Sequence, residues 1–294
     1  MVERITPKEK SYPPIAFLNR VWYNIIKKKL RGITMDRKKI EKAVDQMTLM
    51  DDDFMCQVFD ENYSGVELVL GIILNQPDIK VKKITVQHEY RNLKKRSVRL
   101  DITAVDSAGR VLNVEVQRDD GGADIRRARY NSSMLDTRLL EKGQSFSELV
   151  DTYVIFITEH DVLKRNLPMY HINRKIEETG ELFGDGTHII YVNGEHDKDD
   201  TPLAKLMHDF KCLRSQDMIY PLLADGVRYY KETEGGREKM CKIVEELREE
   251  ARIEAKRQTA LSMIEDGKLS FEDIAKYSGL TLEEVKALAE GKPA

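Results

Sequence analysis

Cysteine is scarce in this sequence, and long apolar runs are missing. The three cysteines, Cys56, Cys212 and Cys241, are widely separated and form no Cys-x-x-Cys pair, so we expect neither a disulfide framework nor a zinc site of that kind. No stretch has the apolar length that a membrane-spanning helix needs, and the first ten residues lack the apolar core of a secretory signal. We therefore expect a cytoplasmic protein with no membrane partner.

Two common chemical motifs are also missing. The six histidines show no His-Glu-x-x-His spacing, which excludes that signature of zinc hydrolases. Gly184-Asp-Gly186 is not followed by Gly-Lys-Ser/Thr, so we interpret it as a turn and not as a phosphate-binding loop.

Charged residues are abundant and unevenly distributed. They make up 34% of the 294 residues, with a net charge of −3, and the length suffices for one sizeable α/β domain with an appendage. Between positions 80 and 99 the only acid is Glu89, and the basic residues are Lys80, Lys82, Lys83, Arg91, Lys94, Lys95, Arg96 and Arg99. A near-neutral protein can present such a cluster to phosphate groups. For the basic residues near the N terminus, ordinary solvated lysines are the simpler interpretation.

The stretch from Arg99 to Gln117 is the most informative part of the chain. It predicts two β-strands joined by a tight turn at 106–109, with Asp101 in the first strand and Glu115 in the second. Acids on apolar strands cost desolvation free energy unless they bind something, and two carboxylates at neighbouring strand ends suit a hard cation such as Mg²⁺. From these residues alone, edge-strand charges that prevent aggregation are an equally good explanation.

The order of the predicted elements indicates an α/β domain with a mixed sheet. Apolar residues at steps of three and four predict helix from Asp51 to Leu74, interrupted near 62–65. We interpret the acids at 51–53 as favouring the start of this helix through its dipole rather than as binding a metal. The elements that follow are a strand at 79–90, the acidic hairpin, a helix at 123–142, a buried strand at 152–158, and strands at 169–174 and 188–192.

Beyond residue 202 the pattern is helical. Glu234-Gly-Gly236 predicts a linker. A short heptad-like stripe follows, which suits either a homodimer through the C-terminal helices or a helix packed on its own domain; it consists of Met240, Val244, Leu247 and Ala251. We divide the chain into a basic arm and helix (1–48), a core domain (49–233) and a helical tail (237–294).

The tail ends in a predicted helical hairpin of the helix-turn-helix type. Its two helices follow the capping-box patterns Ser270-Phe-Glu-Asp273 and Thr281-Leu-Glu-Glu284. The second helix is rich in glutamate and would repel phosphates. We therefore favour a packing or protein-interaction role over DNA reading for this hairpin.

Several motifs in this order resemble a known family. They are Arg-x-Asp-Ile, a hairpin, Asn-Val-Glu-Val-Gln, and a helix that opens Arg-Arg-Ala-Arg-Tyr-Asn-Ser. Over most of residues 50–235 this pattern resembles the PD-(D/E)XK nuclease-family transposases, which are related to recombination-promoting nucleases. The resemblance implies a restriction-endonuclease-like core, with a mixed central sheet flanked by helices, followed here by a C-terminal helical appendage.

The resemblance also implies site residues. The family's strand acid falls on Asp101, its (D/E)-x-K element on Glu115-Val-Gln117 with Gln in place of Lys, and its early-helix acid on Glu67. Asp101, Glu115, Glu67 and the carbonyl of Val116 would then hold Mg²⁺, with Mn²⁺ as a possible substitute, while Gln117 would orient water. Contacts to DNA are expected from Arg99, Arg126, Arg129, Lys94, Lys95 and Arg96.

The function that this resemblance implies is Mg²⁺-dependent cleavage of DNA, linked to transposition or recombination. Gln117 keeps hydrogen-bonding atoms but lacks the positive charge of the family's Lys. An alternative is therefore a nuclease fold with weak or no turnover that acts as a DNA-binding or assembly module.

Overall fold

A mixed six-stranded sheet forms the centre of the computed structural model, which describes residues 37–90, 98–118 and 120–290. Its spatial order is β1-β2-β3-β4-β6-β5. The strands are β1 (Val81–Tyr90), β2 (Val98–Asp106), β3 (Val111–Gln117), β4 (Thr152–Thr158), β5 (Met169–Ile172) and β6 (Thr187–Asn193). Strands β1, β2 and β3 pair antiparallel, β3, β4 and β6 pair parallel, and β5 is an antiparallel edge strand. The predicted mixed sheet is confirmed.

Helices cover both faces of this sheet. The α-helices in the described part of the chain are α1 (Arg37–Gln46), α2 (Asp52–Phe59), α3 (Tyr63–Ile73), α4 (Ile125–Leu139), α5 (Pro202–Lys211), α6 (Pro221–Glu232), α7 (Glu234–Asp266), α8 (Phe271–Ser278) and α9 (Leu282–Ala289). The larger core lies between one sheet face and α1, α2, α3, α5, α6 and the first part of α7, and the smaller core lies under α4 on the other face. None of the described helices is long and apolar enough to cross a membrane.

The hairpin between β2 and β3 has the predicted turn. Gly109 adopts a φ of +86°, which glycine tolerates without strain, and the Asp106 carboxylate accepts hydrogen bonds from the backbone N–H groups of Ala108 and Arg110. The paired register runs from Val105–Val111 to Ile102–Val114. Asp101 and Glu115 therefore lie one residue beyond the last pair, where the two strands separate.

The predicted linker at Glu234-Gly-Gly236 was wrong. Thr233 caps α7 by accepting a hydrogen bond from the Gly236 N–H, so the helix begins at Glu234 and both glycines lie in its first turn. A Cβ at Gly236 would lie 2.1 Å from the Tyr229 carbonyl oxygen. Glycine thus permits α7 to start directly against the end of α6.

Helix α7 joins the core domain to the C-terminal hairpin. Met240 and Val244 of the predicted stripe are buried in the larger core of the domain itself. Further along, Ala260 packs against Ile274 of α8 and Val285 of α9, so the predicted helical hairpin is confirmed. Thr281 and Glu284 form a complete capping box, whereas Ser270 caps α8 without the reciprocal bond.

The N-terminal residues 1–36 lie outside the described part of the chain, but α1 belongs to the core. Ile40 and Val44 are fully buried with residues of the sheet, and Asp45 forms an ion pair with Arg237 of α7 at 2.8 Å. The helical part of the predicted arm is thus packed against the domain.

Lys231 of α6 joins three separate segments in the same region. Its buried ammonium donates to the carbonyl oxygens of Asp45, Met47 and Leu213. We expect Lys231→Met to lower the free energy of unfolding by about 2–3 kcal/mol, because these carbonyls lose a charged donor. Urea denaturation monitored by circular dichroism measures this loss, and Lys242→Met at an exposed position of α7 is the control. A change as small as that of the control would contradict the expectation.

Candidate metal centre

Asp101 and Glu115 occupy the gap where β2 and β3 separate. The Glu115 carboxylate Oε1 accepts a hydrogen bond from the Asp101 N–H at 3.2 Å, and the Asp101 Oδ2 accepts one from the Val116 N–H at 3.2 Å. Each carboxylate thus replaces the backbone acceptor that the partner strand would supply in a continued ladder. The two side chains predicted from sequence are brought together.

Both carboxyl groups are buried, with 4% exposure at Asp101 and none at Glu115. Burial is the main cause that raises the pKa of Asp101 to about 8, and the charges of Glu115 and Asp52 raise it further. Burial likewise raises the pKa of Glu115, against the lowering effect of Asn113 and Arg127. The protein groups around this pair therefore do not fully compensate two negative charges, and a cation bound between them would offset the remainder.

Arg127 is a site residue that sequence reasoning missed. Its Nη2 donates to the Glu115 Oε2 at 2.9 Å, and its Nη1 donates to the Gly122 carbonyl oxygen at 2.7 Å. The guanidinium also lies 5.8 Å from the ring centroid of Phe156 on β4. Helix α4, which starts after the Asp124 cap, thereby places a positive charge beside the buried acids.

Gln117 lies beside the same turn. A Cβ built at Gly122 would lie 1.9 Å from the Gln117 Oε1 and 3.6 Å from the Arg127 Nη1. The absence of a side chain at position 122 therefore provides the space that the Gln117 amide occupies, close to the arginine that binds Glu115.

We expect Gly122→Ala to fold normally but to displace the flexible Gln117 amide, because the added methyl group would take the space of its Oε1. Thermal melts and a crystal structure of the variant measure the two effects separately. Gly235→Ala is the matched control, since a Cβ there meets nothing within 4 Å. A Gln117 amide that keeps its place in Gly122→Ala would contradict this expectation.

Glu67 is not brought to this centre. It accepts hydrogen bonds from the Val81 N–H and from the Lys80 ammonium, both at 3.0 Å. Val81 pairs with Asp106, five residues along β2 from Asp101, which corresponds to about 17 Å. Burial raises the pKa of Glu67, but these two hydrogen bonds outweigh that effect and lower it. A local structural partner thus explains this acid.

Helix α2 packs beside the centre and carries further acids. Asp52 and Cys56 are four residues apart on this helix, and the Cys56 thiol donates to the Asp101 carbonyl oxygen at 3.2 Å. The charge of Asp52 raises the pKa of Asp101. Next to it, Asp53 accepts a hydrogen bond from Gln87 of β1 at 2.6 Å. The sequence assigns these acids to the helix dipole and not to a metal, because it does not show which face of α2 meets the sheet.

The residues predicted to contact DNA are only partly described. Lys94, Lys95 and Arg96 lie outside the described residues, and of Arg99 the structure describes only the backbone, in β2. Arg126 and Arg129 are exposed on α4, on the helix that carries Arg127 toward the sheet. Helix α4 thus presents basic side chains to solvent next to the buried acids.

This combination defines a class of protein: a mixed sheet with an acid at the diverging ends of two adjacent strands, and a basic helix beside it. The model of the PD-(D/E)XK nuclease family transposases matches residues 67–214. The chain belongs to this family and has its restriction-endonuclease-like α/β fold. Searches of curated proteins and of solved structures gave no match.

Proposed function

We propose that this protein is a divalent-metal-dependent DNA endonuclease that acts in transposition or recombination. The observation that carries the proposal is the pair of buried carboxylates, Asp101 and Glu115, each of which accepts a backbone N–H across the gap between β2 and β3. Family membership supports the same conclusion, because it indicates a nuclease-type function.

The donor set fits a hard cation. Asp101 and Glu115 offer carboxylate oxygens, and the backbone of Val116 adds a carbonyl: its N–H points toward Asp101, and the C=O of a strand residue points to the same side as its N–H. Oxygen ligands of this kind favour Mg²⁺ or Mn²⁺. When bound, such an ion lowers the pKa of a coordinated water and neutralises charge on the phosphate. We propose Asp52, rather than Glu67, as the helix acid that completes the site.

The remaining groups have roles that do not depend on coordination. We propose that the Gln117 amide orients the attacking water, since an amide can both donate and accept hydrogen bonds. Arg127 provides the positive charge that Gln117 lacks, and its planar guanidinium can hold Glu115 and stabilise negative charge that develops on the phosphate. Arg126, Arg129 and the basic segment at 94–96 would bind the phosphate backbone of the DNA.

Plasmid cleavage by the purified full-length protein tests this proposal. We expect nicking in Mg²⁺ or Mn²⁺ that EDTA abolishes, and a loss of at least about a hundredfold in Asp101→Asn and Glu115→Gln. Asp78→Asn, at an exposed position outside the site, is the matched control. Equal nicking by the two site variants and the control would overturn the proposal.

A second candidate is a nuclease fold that binds DNA without cleaving it. The observation that favours it is Gln117 in the place of the family's lysine. DNA binding that weakens steeply with salt, without cleavage in Mg²⁺, Mn²⁺ or Co²⁺, would support this candidate over the first.

A homodimer through the C-terminal helices stays a prediction. Part of the proposed stripe, Met240 and Val244, packs into the domain's own core, so this stripe gives the dimer little support. The argument for a dimer is that two copies of the site can cut the two DNA strands, and light scattering on the full-length chain measures the oligomeric state.

We also propose a reducing, cytoplasmic setting for this protein. Its three cysteines are all free, as is usual in that compartment.

A further inference from the structure

A second group of ligand-type side chains lies at the end of α5, apart from the Asp101–Glu115 centre. His208 and Asp209 belong to the last turn of α5, and Cys212 is its C-cap. The imidazole, carboxylate and thiol offer ligand atoms that all lie within 4.8 Å of one another. Nothing in the proposed nuclease chemistry uses these residues.

We propose that His208, Asp209 and Cys212 together bind a borderline transition-metal ion such as Zn²⁺, with the His208 Nδ1 as the nitrogen ligand. The Cys212 Sγ lies 3.6 Å and the Asp209 Oδ1 3.1 Å from this Nδ1. Two ligands bound tetrahedrally to zinc, at about 2.1 Å for nitrogen and about 2.3 Å for sulfur, are about 3.6 Å apart. The side chains are therefore already at the separation that a shared ion requires.

Asp209 supplies the charged oxygen ligand of this group. Its Oδ1 lies 3.1 Å from the His208 Nδ1, so an ion bound to the Nδ1 would take the place of a proton between the two groups. The Asp209 carboxylate is fully buried and accepts the N–H groups of Ile219 and Tyr220, each at 2.7 Å, which holds it in position.

The local electrostatics favour a cation. The C-terminal end of α5 carries the partial negative charge of the helix dipole. The neighbouring cations are already paired: Lys211 with Asp197 at 2.8 Å, and Arg214 with Asp217 at 2.7 Å. The carbonyl oxygen of Asp217 lies 3.6 Å from the Cys212 Sγ and is a further oxygen donor close to the pair.

The site is also accessible and has a physical consequence. The His208 side chain is 41% exposed, so an ion can enter from solvent, and water can complete its coordination. A bound ion would join the end of α5 to the turn that precedes α6, because Asp209 is bonded to Ile219 and Tyr220 in that turn. Metal binding would thus stabilise this part of the fold without taking part in DNA cleavage.

Co²⁺ titration of the full-length protein tests the proposal, because a cysteine-bound Co²⁺ gives a thiolate charge-transfer band in the near ultraviolet. We use the Glu115→Gln background, so that the nuclease centre does not contribute and the outcome is independent of the proposed function. We expect one equivalent of Co²⁺ to produce the band and Zn²⁺ to displace it. Cys212→Ser should abolish the band, and His208→Gln should weaken Co²⁺ binding at least about tenfold.

The controls are Cys241→Ser and His171→Gln, which alter a different cysteine and a different histidine. Circular dichroism shows whether each variant is folded, and if Cys212→Ser is not, His208→Gln at the more exposed position decides the question. A protein without the band, or a band that survives both Cys212→Ser and His208→Gln, would overturn the proposal.

Discussion

Asp101→Asn should raise the stability of the metal-free protein and remove its stabilisation by Mg²⁺. In EDTA at pH 8 we expect the variant to gain on the order of 1–3 kcal/mol in the free energy of unfolding. The reason is that Asp101 and Glu115 are buried side by side, so the variant removes a desolvated charge and its repulsion. The amide oxygen of Asn can still accept the Val116 N–H.

The pH dependence of this gain has a definite sign. The folded pKa of Asp101 is raised to about 8, well above that of the unfolded chain. Below about pH 4 Asp101 is protonated in both states and costs the wild-type protein no stability. As the pH rises toward 8, its ionisation lowers the free energy of unfolding by an increasing amount. The difference between variant and wild type should therefore be small at about pH 4 and largest near pH 8. Thermal melts in EDTA across this range measure it.

Addition of Mg²⁺ should reverse the order of stability. A cation that binds the folded wild-type protein stabilises it by mass action, whereas the Asp101→Asn variant has lost a ligand and should gain little. Asp78→Asn should follow the wild type throughout. If Asp101→Asn were less stable than the wild type at pH 8 in EDTA, protein groups alone would satisfy the Asp101 carboxylate, and the argument for a cation here would fail.

Arg127→Met should lower the rate of DNA cleavage by about a hundredfold to a thousandfold while leaving metal binding intact or tighter. The loss in rate is the size expected when a group that stabilises developing charge is removed. Metal binding should not weaken, because the guanidinium bonded to Glu115 at 2.9 Å is itself a cation that competes with the ion for the same carboxylate.

The two readouts separate an electrostatic role from a structural one. If Arg127 only held Glu115 in place, Arg127→Met would weaken metal binding and cleavage together. Arg127→Lys should restore part of the rate, since a single ammonium keeps the charge but cannot replace the two guanidinium bonds to Glu115 and Gly122. Arg126→Met, at the exposed neighbouring position, is the control: it should reduce the salt dependence of DNA binding and leave the catalytic rate unchanged.

The strand acids could be predicted from sequence because the relevant information is local. The turn at 106–109 sets the register of the hairpin, and the register places Asp101 beside Glu115. The mixed sheet could be predicted for a similar reason, since alternating and continuous apolar runs distinguish the outer strands from the buried β4.

The helix residues of the site could not be predicted in this way. Which face of α2 meets the sheet, and hence whether Asp52 or Glu67 of the next helix approaches Asp101, depends on how the helices pack and not on their own sequence. The same holds for α4. Three arginines lie within its first two turns, and only docking on β4 shows that Arg127 faces inward while Arg126 and Arg129 face solvent.

Anomalous diffraction from crystals of the full-length protein grown with Mn²⁺ is the most direct test of the shared-ion geometry. A single strong peak should lie within about 2.0–2.6 Å of carboxylate oxygens of both Asp101 and Glu115, and it should be missing in crystals of Asp101→Asn. A peak that contacts only one of the two acids, or a protein that cleaves DNA with its Mn²⁺ bound elsewhere, would contradict the proposed centre.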